Sequence, residues 1–144
     1  MRVRELVNPI LTVSADLPVS KLAYMMDKRN TGSALIEEYG KPVGIITERD
    51  ILRRVVAQGK NPYVTSAKEI MSTTLYKIDH EASVVDASSM MDENNIRRLL
   101  VTEQGRIIGK ITVKAISRSF RYGLGQRLIH MDESAYYRPA YVLH

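Results

Sequence analysis

Two short stretches carry side chains with usable chemistry. The first is Thr47-Glu48-Arg49-Asp50. A threonine closing an apolar run, with an acid three residues on, resembles a capping box with Asp in place of the usual Glu. The same atoms suit a second task. Free N–H groups at a helix start attract phosphate, and a threonine hydroxyl adds a donor. A carboxylate there can accept two hydrogen bonds from vicinal ribose hydroxyls, as acids do in dinucleotide folds. The second stretch is Ile96-Arg97-Arg98, just before or at the start of an apolar run. Two adjacent guanidiniums offer forked donors suited to phosphate oxygens. Their plainer role is a solvated strand edge paired with Asp92 or Glu93.

The elements that must position these groups occur twice. Met25-Met26-Asp27 returns 65 residues on as Met90-Met91-Asp92, Asn30 as Asn95 and Leu35 as Leu100. Gly40, Gly44, Ile46, Thr47 and Ile51 return as Gly105, Gly109, Ile111, Thr112 and Ile116. The units run over about 3–57 and 67–120. In each, a helical turn near Glu5 or Glu69 leads to a short extended piece (10–13, 75–78). An amphipathic helix follows: Val19, Leu22, Ala23 and Met26 fall at i, i+3, i+4 and i+7, and Val84, Ala87 and Met91 match them. Pro18 suits the first turn. Two strands then flank a turn ("SALIE"–"VGIIT", "RLLVT"–"IIGKIT"), and a last helix closes each unit (48–57, 113–122). The predicted fold is α/β in its α+β form, two pseudo-symmetric β-α-β-β-α repeats packed sheet to sheet. The expected domains are 1–60, 61–122 and a tail at 123–144, with 58–66 as linker. The tail carries Tyr136, Tyr137 and Tyr141 beside Pro139 and fits neither repeat.

The copies are not equivalent. Unit 2 has Thr112-Val113-Lys114-Ala115, without the acid, and unit 1 has Gly32-Ser33 where unit 2 has Arg97-Arg98. A cap needed only for structure would be needed twice, so Asp50 points to a task of unit 1 alone. A pseudo-twofold pairing would bring Asp50 towards Arg97, Arg98 and Lys114, giving one charged site between the units and a weaker one opposite.

Bulk properties narrow the classes. The chain has 144 residues, is 44% hydrophobic and carries 21 basic against 16 acidic groups, net +5. That fits one globule with a real core, and the basic balance favours anionic partners. There is no Cys, hence no disulfide framework or thiolate chemistry. No apolar run approaches the ~20 residues of a membrane span, and the first residues lack the apolar stretch of a signal peptide. These features predict a cytoplasmic protein. His80, His130 and His144 lack ligand spacing, so no metal site is expected. The methionine pairs read as core or dimer-face packing. "FRYG" (120–123) alternates basic and aromatic residues, which suits stacking on nucleic acid or a helix end stopped by Gly123. No nucleophile–base set, paired catalytic carboxylates or P-loop is present, so no catalytic residue is expected.

Residues 1–120 resemble a tandem pair of cystathionine-β-synthase (CBS) domains, the Bateman module. The motif carrying the resemblance is Gly44-Ile45-Ile46-Thr47-Glu48-Arg49-Asp50; Gly109 to Ala115 is a weaker copy lacking the final acid. The resemblance implies a site in which Thr47 and Asp50 hold phosphate and ribose. Leu75, Tyr76 and Ile96 would line a base, and Arg97, Arg98 and Lys114 would reach phosphates. A second site would use Leu11, Thr12, Ser33, Arg49 and Thr112, and would be weak or empty. Leu100 stands where the family often has proline. The implied function is a non-enzymatic sensor of AMP, ADP or ATP, without a further cofactor, signalling to an effector protein on another chain. Related modules take S-adenosylmethionine. A homodimer is implied too, and the helices Val19–Met26 and Val84–Met91 carry the apolar residues such a face needs. The competing reading is a nucleic-acid-binding protein, resting on pI near 9.5, Arg97-Arg98 and the basic stretch "KAISRSFRYG".

Overall fold

The computed structural model describes residues 1–129. After a 3₁₀ turn at Val3–Glu5, the first repeat comprises β1 (Leu11–Ser14), α1 (Val19–Lys28), β2 (Ser33–Glu38), β3 (Lys41–Thr47) and α2 (Glu48–Ile51). The second comprises α3 (Ala67–Ile70), β4 (Lys77–Asp79), α4 (Val84–Glu93), β5 (Arg98–Glu103), β6 (Arg106–Thr112) and α5 (Val113–Ile129). Each repeat has its own three-stranded sheet, β1-β2-β3 and β4-β5-β6, with a parallel then an antiparallel pairing. Even the bulges match, at Ile36/Glu37 and Val101/Thr102. The α+β double repeat expected from the sequence is therefore present.

The recurring residues account for this geometry. Asn30 and Asn95 have φ of 49° and 52° just past α1 and α4. There Thr31 N–H returns to the Met26 carbonyl at 3.0 Å and Asn30 N–H to Asp27 at 3.1 Å, a Schellman ending. Tyr39-Gly40 and Gln104-Gly105 all have positive φ, as a two-residue hairpin turn of the right twist requires. Along β2 and β5 the side chains alternate. Ala34 and Ile36 join Leu22, Met26 and Ile46 in one core, and Leu99 and Val101 join Val84, Met91 and Ile111 in the other. Leu35 and Leu100 point to the opposite faces, where the sheets meet, and are 4% and 2% exposed.

Packing crosses the division expected at 60/61. Val3 is fully buried in the core of the second repeat, with Leu6 and Val7 against it. Ala67 and Ile70 lie in the core of the first. Two-bond backbone bridges fix both exchanges: Asn8 with Lys110, and Ser72 with Ile45. Each repeat is completed by the segment preceding the other.

Three expectations need correction. The stripes Val19–Met26 and Val84–Met91 are buried in their own repeats, because an apolar face of that width is needed to cover one sheet face. Exposed apolar side chains on helical segments are instead Tyr24, Leu52, Val56, Val85 and Phe120. The helix of the first repeat is α only through Ile51, then continues as a π turn at Leu52–Val56. Gly123 does not stop α5, which runs to Ile129; glycine weakens a helix interior without breaking it. His130, His144 and the tail tyrosines Tyr136, Tyr137 and Tyr141 lie outside the described residues.

Candidate functional site

Strand β3 delivers Thr47 to the start of α2. Ile46 is buried in the core, so period-2 alternation turns Ile45 and Thr47 to the opposite face. Thr47 and Asp50 form a reciprocal cap. The Asp50 N–H donates to Thr47 Oγ1 at 3.3 Å, and Asp50 Oδ2 accepts from the Thr47 N–H at 2.8 Å and its hydroxyl at 3.1 Å. Among the described residues Oδ1 has only a 3.8 Å ion pair with Arg54. One carboxylate oxygen is thus spent on structure and the other is still able to accept. Thr112 caps α5 by accepting from the Ala115 N–H at 3.1 Å, without an acid. The cap works in the second copy with the hydroxyl alone.

The Gly44 of the motif has its own reason. A Cβ there would run into Met71 Sδ and lie 2.9 Å from the Ser72 carbonyl oxygen. Only glycine lets the 71–72 segment bridge to Ile45, and that segment leads directly to Thr74, Leu75 and Tyr76. The motif glycine therefore brings the other repeat's wall up to Thr47.

A cleft of about 900 Å³ opens between the repeats, within the usual range for small-molecule sites. Thr47 and Asp50 line it from the first repeat; Leu75, Tyr76, Ile96, Arg97 and Arg98 line it from the second. Arg97 is exposed and Arg98 half-buried. Burial pushes the Arg98 guanidinium below its usual value, against the opposing pull of Glu48 and Asp50; Arg97 beside it lowers it further. Arg98 is thus a partly desolvated cation with the carboxylates of Glu48 and Asp50 near it.

Two assignments change. Arg49, expected in the second site, lines this cleft, and Lys114, expected here, is not among its lining residues. Each stands on the first turn of its own helix, so it stays beside its own threonine: Arg49 with Thr47, Lys114 with Thr112. Of the other second-site residues, Leu11 belongs to the first core, Thr12 is exposed and Ser33 is buried. Ile45, Glu48, Thr74 and Asp92 also line the cleft. Ile45 was legible from its two-residue spacing to Thr47, whereas Asp92, near the end of α4, was marked in the sequence only as a pairing partner for the arginines. Among the described residues no group of three or more His, Asp or Glu could hold a metal ion, and no helix is long and apolar enough to cross a membrane.

The CBS-domain family model matches residues 3–57 and 67–122, both repeats in turn. The chain belongs to the CBS-domain family. This CBS pair is 38% identical over 109 residues to the protein MK0525 of Methanopyrus kandleri and spans 56% of that protein's length. It is 34% identical over 104 residues to the CBS domain-containing protein YhcV of Bacillus subtilis, covering 72% of this chain and 74% of that one. Among solved structures, a protein with CBS domains from Burkholderia ambifaria matches with a TM-score of 0.78 at 27% identity, over 83% of this chain and 93% of that one. The CBS pair of protein MJ0100, in complex with 5′-methylthioadenosine and S-adenosyl-L-methionine, matches with a TM-score of 0.76 at 28% identity, over 85% and 98%.

Proposed function

We propose that this CBS pair is a regulatory sensor of an adenosine nucleotide, AMP, ADP or ATP, held in the cleft between the repeats. Leu75, Tyr76 and Ile96 flank the base, Asp50 accepts from the ribose, and Thr47, Arg97 and Arg98 face the phosphates. The observation that carries this reading is the facing of Thr47 and Asp50 by Arg97 and Arg98 across one cleft built from both repeats. A ligand touching both walls shifts their relative angle by its differential affinity for the two arrangements. The module has no catalytic role and signals to an effector. A homodimer through the exposed apolar residues of the helices, Leu52, Val56 and Phe120 among them, is part of the proposal, as is a cytoplasmic setting.

A second ligand class, S-adenosylmethionine and its kin, is favoured by the complex of MJ0100. The arginines discriminate: a neutral or cationic adenosyl ligand needs no guanidinium pair. Calorimetric titration of nucleotide-stripped protein with AMP, ATP and S-adenosylmethionine tests the reading, alongside Asp50→Ala and Arg98→Ala. Saturable nucleotide binding, weakened at least tenfold in both variants, is the expected result. Binding of S-adenosylmethionine alone, unaffected by Arg98→Ala, would remove the phosphate assignment. No binding at millimolar ligand, with salt-sensitive binding of nucleic acid instead, would remove the sensor reading. Asp50 also caps α2, so each variant's melting curve separates lost ligand contact from lost folding.

A further inference from the structure

The positions that answer to this cleft's wall in the other copy differ from it at a residue no motif marks. Ile45 lines the cleft together with Ile96 and Arg98 of the other repeat. The counterparts of these three residues, 65 positions away, are Lys110, Thr31 and Ser33. The structure joins them: Lys110 Nζ donates to Thr31 Oγ1 at 2.7 Å and to Ser33 Oγ at 3.1 Å. Ser33 is 1% exposed. Where the cleft has an apolar wall at Ile45, the equivalent position has an ammonium spanning from one repeat to the other.

Two hydrogen bonds hold that ammonium between the repeats, against burial and, less strongly, the nearby Arg98, which disfavour its charge; moving it away would leave the buried Ser33 hydroxyl without that donor. An apolar ring in its place would break two hydrogen bonds and strip the amine's remaining water, and a buried polar group without partners is costly. We propose that Lys110 is a specificity-determining residue: it occupies the place where the second copy would receive an adenine base and leaves each protomer one adenosyl site, the one at Asp50. The proposal rests on the adenosine reading above for the identity of the ligand, and on the Lys110–Thr31–Ser33 contacts for the exclusion.

The alternative cause of a single site is the missing acid at Ala115, and stoichiometry separates the two. Wild type, Ala115→Asp and the triple variant Lys110→Ile, Thr31→Ile, Ala115→Asp are titrated with AMP, each with and without Asp50→Ala. One equivalent is expected for wild type and for Ala115→Asp. The triple variant is expected to take two, one of which survives Asp50→Ala. A second equivalent in wild type or in Ala115→Asp, with Lys110 in place, would overturn the proposal, as would a single equivalent in the folded triple variant. If the triple variant does not fold, the near-isosteric Lys110→Met with Ala115→Asp replaces it, with the same outcomes. Should wild type bind no AMP, the adenosine reading fails; an equivalent gained by the triple variant would then still support Lys110 as the barrier, and no gain would overturn it.

Discussion

Asp50 and Lys110 show what one residue does to a duplicated site. The cap at Thr112 forms without an acid, so Asp50 adds to α2 only the share of a capping box contributed by the returning carboxylate, a fraction of the roughly 1 kcal/mol typical of a cap. Asp50→Asn should therefore cost less than 1 kcal/mol in urea unfolding while nucleotide affinity falls at least tenfold; equal proportional losses would make Asp50 a cap and nothing more. Lys110 has a pH signature. Its folded-state pKa lies below the ordinary 10.5, through burial first and Arg98 second. The unfolded chain then binds more protons in the window below 10.5, so stability rises with pH there. Wild type should gain on Lys110→Met as pH climbs through that alkaline window and should show no such trend near neutrality. Urea unfolding of both proteins at a series of pH values checks this, and parallel curves would remove the argument that the ammonium is held against its charge.

At the scale of elements, the recurring glycines do two different jobs. Gly40 sits at φ 73° in a hairpin turn with open space around it. A side chain there meets only backbone strain, about 1–2 kcal/mol. At Gly109 a Cβ would run into the Asn8 carbonyl oxygen and lie 2.8 Å from Val7 Cγ1. The obstacle is backbone that itself pairs with Lys110, so it cannot swing aside. Gly109→Ala should cost about 3 kcal/mol, the upper end for forced contacts, and more than Gly40→Ala; thermal melts of both variants test the order. Helix and strand types were legible because the helical stripes at i, i+3, i+4 and i+7 give way to short continuous apolar runs, Ala34 to Ile36 after α1 and Leu99 to Val101 after α4. The π turn after Ile51 and the run of α5 past Gly123 were not. Helix continuation through weak propensity is decided by what the helix packs against.

At the scale of the molecule, the repeats are completed by each other's leading segments. Removing residues 1–8 takes Val3, Leu6 and Val7 from the second core and the Asn8 bridge from β6. Hydrogen exchange should then lose protection in β5 and β6 far more than in β2 and β3; the reverse would contradict the crossed packing. The sequence by itself determined the duplication, the order of elements, the cores and the Thr47–Asp50 motif, since these follow from recurrence at a fixed spacing, periodicity and turn chemistry along the chain. It also held the asymmetry of acid and arginines. Which helix face is exposed, which of Arg49 and Lys114 lines the Asp50 cleft, and what Lys110 touches were decided only by the tertiary structure. Those depend on how two sheets 65 residues apart face each other, and no local pattern records a contact such as that between Lys110 and Ser33.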